Sequence, residues 1–338
     1  MTTTQLVQIK RASFERLRAF TAGGADAAAA GIRALYSAGA TCSVAHPVND
    51  LAEPAEILAH WWLPLFRSFP DVERRDVIAV SGEFEGKAMV AMVGHYQGTF
   101  SVPFFDIPPT NQVATLRYGE VHEVVDGRIC RSWILIDFVD LMLQARCWPL
   151  APSLGVEAMW PGPVGNGGLL LDVVDSIRGA ASLQIVTAMH VALRSFDGRT
   201  LDSMDHAKYW TRDFMWYGPS GIGTTRGLAG FRAHHQIPFL RTVPDRGGGP
   251  RITGFGDGDF VVTGGWPGMS ATHSGGDWLG LAPTGKRFTI RVMDFYRLEN
   301  GLIAENWVPI DILDILNQIG LDVFARMRHI SGRPRVTL

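Results

Sequence analysis

The chain states one pattern twice at a constant offset of 174 residues. Residues 109–144, PTNQVATLRYGEVHEVVDGRICRSWILIDFVDLMLQ, align without a gap on residues 283–318, PTGKRFTIRVMDFYRLENGLIAENWVPIDILDILNQ, with 11 of 36 positions identical. The same offset places PLFRSFPD at 64–71 over PFLRTVPD at 238–245, and His60 over His234. A repeat of this length is a whole folding unit, so the chain must hold two related domains, each with its own possible site. The expected boundaries are a first unit at 1–150, a linker at 151–164 and a second unit at 165–338.

With 338 residues and 46% hydrophobic content, the chain can bury two ordinary cores. Its 31 basic and 33 acidic residues are interspersed and leave a net charge of -2. No basic stripe marks a nucleic-acid or anionic-membrane partner. Cys42, Cys130 and Cys147 are too few and too irregular for a disulfide framework or a four-cysteine zinc site, so reduced thiols are expected. The first twenty residues lack the apolar core of a signal peptide, and no run approaches the roughly 20 apolar residues of a membrane span. A cytoplasmic protein with neither cofactor nor metal is the expectation.

Apolar spacing predicts a helix over 6–20, a second over 25–37 after the Gly23-Gly24 break, and a third over 51–69 with Pro54 in its first turn. The period then shortens. Strands are predicted at 77–80, 88–100, 112–125 and 129–136, with a hairpin turn at Asp126-Gly127, and a short helix follows near Leu141. The second copy repeats this order: a helix near 181–195, strands at 288–298 and 302–308 around Asn300-Gly301, and a helix at 312–319. Helices followed by several strands give an α+β class, with helices on one face of a mostly antiparallel sheet. Between the copies, 148–168 is rich in proline and glycine and reads as a linker that Trp148 and Trp160 can pack across a domain surface.

The glycine run at 218–227, GPSGIGTTRG, has the wrong spacing for a dinucleotide loop and no Lys-Ser/Thr pair for a phosphate loop. Charge is instead concentrated in the duplicated C-terminal pattern. Arg291 and Asp294 share a strand and Asp311 ends the next, with Arg117, Glu120 and Asp137 in the equivalent places. Asp137 and Asp311 have three readings: caps of the helices that follow, pocket carboxylates with pKa raised by desolvation toward a general base, or partners of Arg117 and Arg291 in buried ion pairs. His95 and His273 either hydrogen-bond within the core or donate to a developing oxyanion. Adjacent His234 and His235 diverge on a helix and make no zinc pair. Trp210, Trp216, Trp266, Trp278 and Trp307 pack a core singly, and together they favour an aromatic-lined cavity. No GxSxG elbow supports acyl transfer.

Residues 272–311, THSGGDWLGLAPTGKRFTIRVMDFYRLENGLIAENWVPID, together with WYGPSGIGTTRGLAGF at 216–231, closely resemble the SnoaL-like polyketide cyclase family of the nuclear transport factor 2-like superfamily. The resemblance spans about 110 residues, 210–320, and is fainter in the first copy, carried by Pro109-Thr110, DGRI at 126–129, Trp133 and Asp137. It implies two cone-shaped α+β barrels, a deep pocket, and cofactor-free aldol ring closure of a polyketide ester. Carried over by motif, the acid-base aspartate falls on Asp311 in ENWVPID, with His273 or Arg291 steadying negative charge, and a helper histidine is replaced by Arg297. The pocket expected around them includes Trp210, Trp216, Trp278 and Trp307. In the first copy Asp137 matches, but Arg131 stands where the second has Glu305, and 101–109 form a bulky insertion. A partly degenerate first unit follows, with a second site of Asp137, His95 and Glu120 as the alternative. The fold also hosts isomerases, dehydratases, hydrolases and noncatalytic binding domains. The expected partners are a small organic ligand and the other half of the chain, paired as subunits pair, with a homodimer possible.

Overall fold

The computed structural model describes residues 1–276 and 278–330; Asp277 of the THSGGDW motif and the end of the second unit, 331–338, lie outside the described residues. The first unit opens with α1 (Thr3–Leu35), started by a capping box in which the Thr2 hydroxyl accepts from Gln5 N–H and the Gln5 side chain accepts from Thr2 N–H. Gly24, at φ 58°, breaks this helix where the Gly23-Gly24 pair predicts a break. Then come β1 (Tyr36–Val44), β2 (Asn49–Leu51), α2 (Pro54–Ile57), a π turn (Leu58–Trp62) and α3 (Leu63–Ser68). β3 (Glu73–Phe84), β4 (Lys87–Thr99), β5 (Val113–Val125), β6 (Arg128–Ile136) and α4 (Phe138–Gln144) complete it.

The second unit runs α5 (Ser176–Arg194), β7 (Trp210–Tyr217), β8 (Thr225–Arg226), α6 (Gly227–Phe231), a π turn (Arg232–Gln236), α7 (Ile237–Thr242), β9 (Gly247–Gly248) and β10 (Thr253–Asp257). It continues through β11 (Phe260–Thr272), β12 (Arg287–Glu299), β13 (Leu302–Trp307), α8 (Ile312–Gln318) and α9 (Val323–Ile330). Helices α4 and α8 begin and end at equivalent positions, and Asp126 and Asn300 both take positive φ before a glycine in their hairpin turns.

Each unit is α+β, a sheet with helices packed on it, as the sequence pattern predicts. The sheets differ from the expected barrels in two respects. The orders β2-β1-β6-β5-β4-β3 and β10-β11-β12-β13-β7-β8 leave both sheets open. Each also contains one parallel pair, β1 on β6 and β7 on β13. The first strand of each unit enters after the helical segment rather than by a hairpin, and β1, YSAGATCSV, is too rich in small residues to show a clean alternation.

The outer sheet faces meet around an approximate two-fold relation. Asp137 caps α4 by accepting from Asp140 N–H, pairs with Arg117 at 2.7 Å, and accepts from the backbone N–H of Ser220 in the second unit at 2.9 Å. Asp311 caps α8 by accepting from Asp314 N–H, pairs with Arg291 at 3.1 Å, and accepts from the backbone N–H of His46 in the first unit at 2.8 Å. Residues 46 and 220, 117 and 291, and 137 and 311 are all related by the repeat offset. A buried Lys10–Asp257 pair at 2.8 Å adds a further tie. The segment after α4 is fastened to the second unit through Trp160 Nε1 on Gly218 O and Trp307 Nε1 on Pro161 O. Among the described residues no helix is long and apolar enough to cross a membrane.

Candidate active site

Strand parity decides what can share a pocket. On β12 the residues Ile290, Val292, Asp294 and Tyr296 face one way, and on the next strand and its extension Asn306, Val308 and Ile310 join them. With α5, α6 and α7 above, they enclose a cavity of about 1200 Å³ in the second unit. Its wall is aromatic. His206 stacks on Trp210 at 5.4 Å, Trp216 on His235 at 4.1 Å, and Phe239 meets Trp278 edge-on at 5.2 Å. Among the described residues the buried indole nitrogens of Trp210 and Trp278 have no hydrogen-bond partner. Burial holds His206 down to about 4 and His235 to about 3, so both are neutral imidazoles in the physiological range.

Asp294 is the one acidic side chain in the lining among the described residues. Burial raises its pKa to about 6, against the pull of Tyr296 and Asn306, whose Nδ2 lies 3.5 Å from Oδ1. Beside it the Tyr296 hydroxyl is 2.9 Å from His190 Nε2, and Arg251 Nη2 is 3.4 Å from His190 Nδ1. Burial, with Arg251 and Arg194, lowers His190 to about 4. An arginine only donates, so His190 Nδ1 accepts and Nε2 carries the proton toward the tyrosine oxygen. That leaves the Tyr296 proton free to turn toward Asp294. The carboxylate therefore sits at the end of a donor chain, in an apolar wall, half ionised near pH 6.

The site residues expected from sequence divide by face. Trp210, Trp216 and Trp278 are in the cavity wall. Arg291, Arg297, Glu305, Trp307 and Asp311 are outside that lining, on strand positions of the opposite parity or just beyond them. Arg297 pairs with Glu305, whose Oε2 also accepts from Val164 N–H at 3.2 Å. Asp311 is 2% exposed; burial pushes its carboxyl up to about 7, against the His46 amide and Arg291. Its bonds go to its own helix, to Arg291 and across to the first unit. Asp137 holds the matching place with Ser220. His273, 1% exposed, accepts from Thr284 N–H at Nδ1 and closes the loop before β12. His95 lies on β4 opposite Arg117, apart from Asp137. His190, Tyr296, Asn306 and the role of Asp294 are not picked out by motif. The available signal is a polar Asp in a period-two apolar stripe, Ile290, Val292, Asp294, Tyr296.

In the first unit the equivalent of Asp294 is Glu120, and its surroundings are full. Arg74 Nη2 donates to Glu120 at 2.7 Å and lies 2.8 Å from Asp76, while Tyr96 donates to Glu120 at 2.8 Å. Although burial pushes Glu120 up, Arg74 and His122 bring it down to about 2. Trp61, Trp62, Tyr96 and Phe104 are wholly buried around this cluster. In the second unit Arg74 is replaced by Gly248, which pairs with Met269 as Arg74 pairs with Tyr96.

Among curated proteins none matches the chain. Solved structures resemble it one unit at a time. A candidate SnoaL-like polyketide cyclase from Jannaschia sp. CCS1 is 18% identical, covering 42% of this chain and 92% of its own, with a TM-score of 0.35. IdmH, a candidate polyketide cyclase from Streptomyces antibioticus, is 22% identical over 40% and 95%, at 0.33. AclR, a candidate hydroxylase from Streptomyces galilaeus, is 16% identical over 43% and 98%, at 0.33. The SnoaL-like polyketide cyclase family model matches residues 42–145 and again 188–319, more than two thirds of the chain, and the protein therefore belongs to that family, carrying its domain twice.

Proposed function

We propose that the second unit is a cofactor-independent cyclase or isomerase acting on a hydrophobic or aromatic carbonyl compound, with Asp294 as general base and the first unit as its structural partner. One observation supports this above the others: Asp294, the one acid of the lining among the described residues, is raised to about 6 and faces an aromatic cavity of about 1200 Å³. A base in this range is ionised at neutral pH yet basic enough to accept a carbon-bound proton when the enolate is held. Asp294 takes the proton from the carbon beside the carbonyl, and the C–H electron pair becomes the enolate. In ring closure that enolate carbon forms a C–C bond to a second carbonyl of the same molecule, whose oxygen then takes the proton back from Asp294. In isomerisation the proton returns to carbon instead.

The test is exchange of the α-protons of 2-tetralone in D2O, followed by NMR. Wild-type protein should accelerate exchange, with a rate that rises with pH through about 6 as Asp294 ionises. Asp294→Asn should lose roughly 10²- to 10⁴-fold, the usual contribution of a positioned base. Asp311→Asn should keep the wild-type rate. Loss with Asp311→Asn and retention with Asp294→Asn would return the base role to Asp311. A probe that binds the wild-type cavity without exchanging would favour a carrier.

A further inference from the structure

Among the described residues the cavity lining holds one acid, Asp294, and five arginines, Arg194, Arg199, Arg241, Arg246 and Arg251. Among the described residues none of the five pairs with a carboxylate, whereas Arg74, Arg117, Arg178, Arg232, Arg287, Arg291 and Arg297 all do. Arg246 is the clearest case. Half-buried over the Phe196 ring at 5.8 Å, it reaches only the Leu193 carbonyl at 3.5 Å, and burial lowers its pKa. Keeping a guanidinium partly desolvated without an anion is unfavourable, and an anionic ligand group reverses that cost. Arg194, Arg199, Arg241 and Arg251 are exposed beside it.

We propose that the ligand of this cavity is an amphipathic anion: an apolar or aromatic body along the tryptophan wall, and a carboxylate or phosphate gripped at the mouth by Arg246. The inference rests on the reading of this cavity as the ligand site and adds the charge of what enters it. It also orders the molecule within the site. Repulsion from Asp294 and attraction by the arginines both turn the anionic end outward, which leaves the uncharged, carbonyl-bearing end beside the base.

Calorimetric titration of the full chain with 2-naphthoate, 2-naphthyl phosphate and neutral 2-naphthamide tests this. Both anions should bind at least tenfold more tightly than the amide, with the gap closing as salt is raised and shrinking in Arg246→Met. Amide binding should be unchanged in that variant, which also reports that the cavity still folds, and Arg246→Lys should restore part of the preference. The tighter of the two anions identifies the group. Equal binding of amide and anions by the wild-type protein, or a preference undiminished in Arg246→Met, overturns the anion proposal and leaves the cavity reading standing. Failure of all three probes overturns both.

Discussion

The two units of this chain share a strand order, a turn chemistry and a helix that starts and stops at matched positions, yet around the inner carboxylate one is solid where the other is hollow. The difference centres on one pair. In the first unit Arg74 crosses the sheet face to Glu120, and Trp61, Trp62 and Tyr96 close around them. In the second, the matching positions are Gly248 and Asp294, and the space an arginine would fill belongs to the cavity. Burial acts on both carboxyls in the same upward direction. In the first Arg74 overcomes it, while in the second Arg251 only tempers it, so one falls to about 2 and the other rises to about 6. A fold of this class therefore sets the chemistry of its inner carboxylate by what the neighbouring edge strand supplies.

The largest expected effect comes from breaking the solid half. Arg74→Met leaves Glu120 and Asp76 buried without a cation and should cost about 3–5 kcal/mol in chemical denaturation. Adding Glu120→Gln and Asp76→Asn should recover much of the loss, since a neutral cluster no longer needs the cation. Unchanged stability in Arg74→Met would show that the ion cluster is not what keeps the first unit solid.

Transplanting the pair is the next most severe change. An added Cβ at Gly248 meets nothing within 4 Å, and the residue is exposed on a short strand, so Gly248→Arg should be tolerated. Its guanidinium should pair with Asp294, move that carboxyl from about 6 well into the acidic range, and reduce 2-tetralone exchange by about 10²-fold. Carboxyl ¹³C chemical shifts followed across pH would read the shift directly. An unchanged titration would mean that the two units differ by more than this substitution.

The smallest effect concerns what the units have in common. Asp137→Asn and Asp311→Asn each weaken a helix cap, an arginine pair and one bond across the interface. Asp137→Asn should lower stability by about 1–2 kcal/mol. Asp311→Asn should cost less at neutral pH, because burial already disfavours its charged form and raises its carboxyl to about 7; an equal or larger loss would show that its bonds to His46 and Arg291 outweigh that burial.

The repeat made most of this fold legible. The strands from 288 onward, the Asp-Gly and Asn-Gly hairpins and the Gly24 break all carry local signals, because turn residues and period are properties of short segments. The first strand of the first unit carries none, since Tyr36–Val44 is specified by its partner β6 rather than by its own alternation. The site was legible in composition and not in direction. Counting tryptophans and charges points to the right strands, but Arg291, Asp294, Arg297 and Asp311 look alike until one knows which sheet face turns toward the other unit. That choice is made by long-range packing, such as Pro309 and Phe295 closing on Gly119, where an added side chain would collide at 2.4 Å. A shift of one residue along a strand exchanges interface for cavity.

The crossed contacts of His46 with Asp311 and Ser220 with Asp137 have a consequence for how such a molecule can change over time. In an assembly of two identical chains, every substitution is made twice, so a pocket cannot be filled on one side to brace the partner without being lost on the other. Joining the halves in one chain removes that constraint. One copy is then free to accumulate bulk and fixed charge until it serves only as a foundation, while its sibling can surrender packing for room.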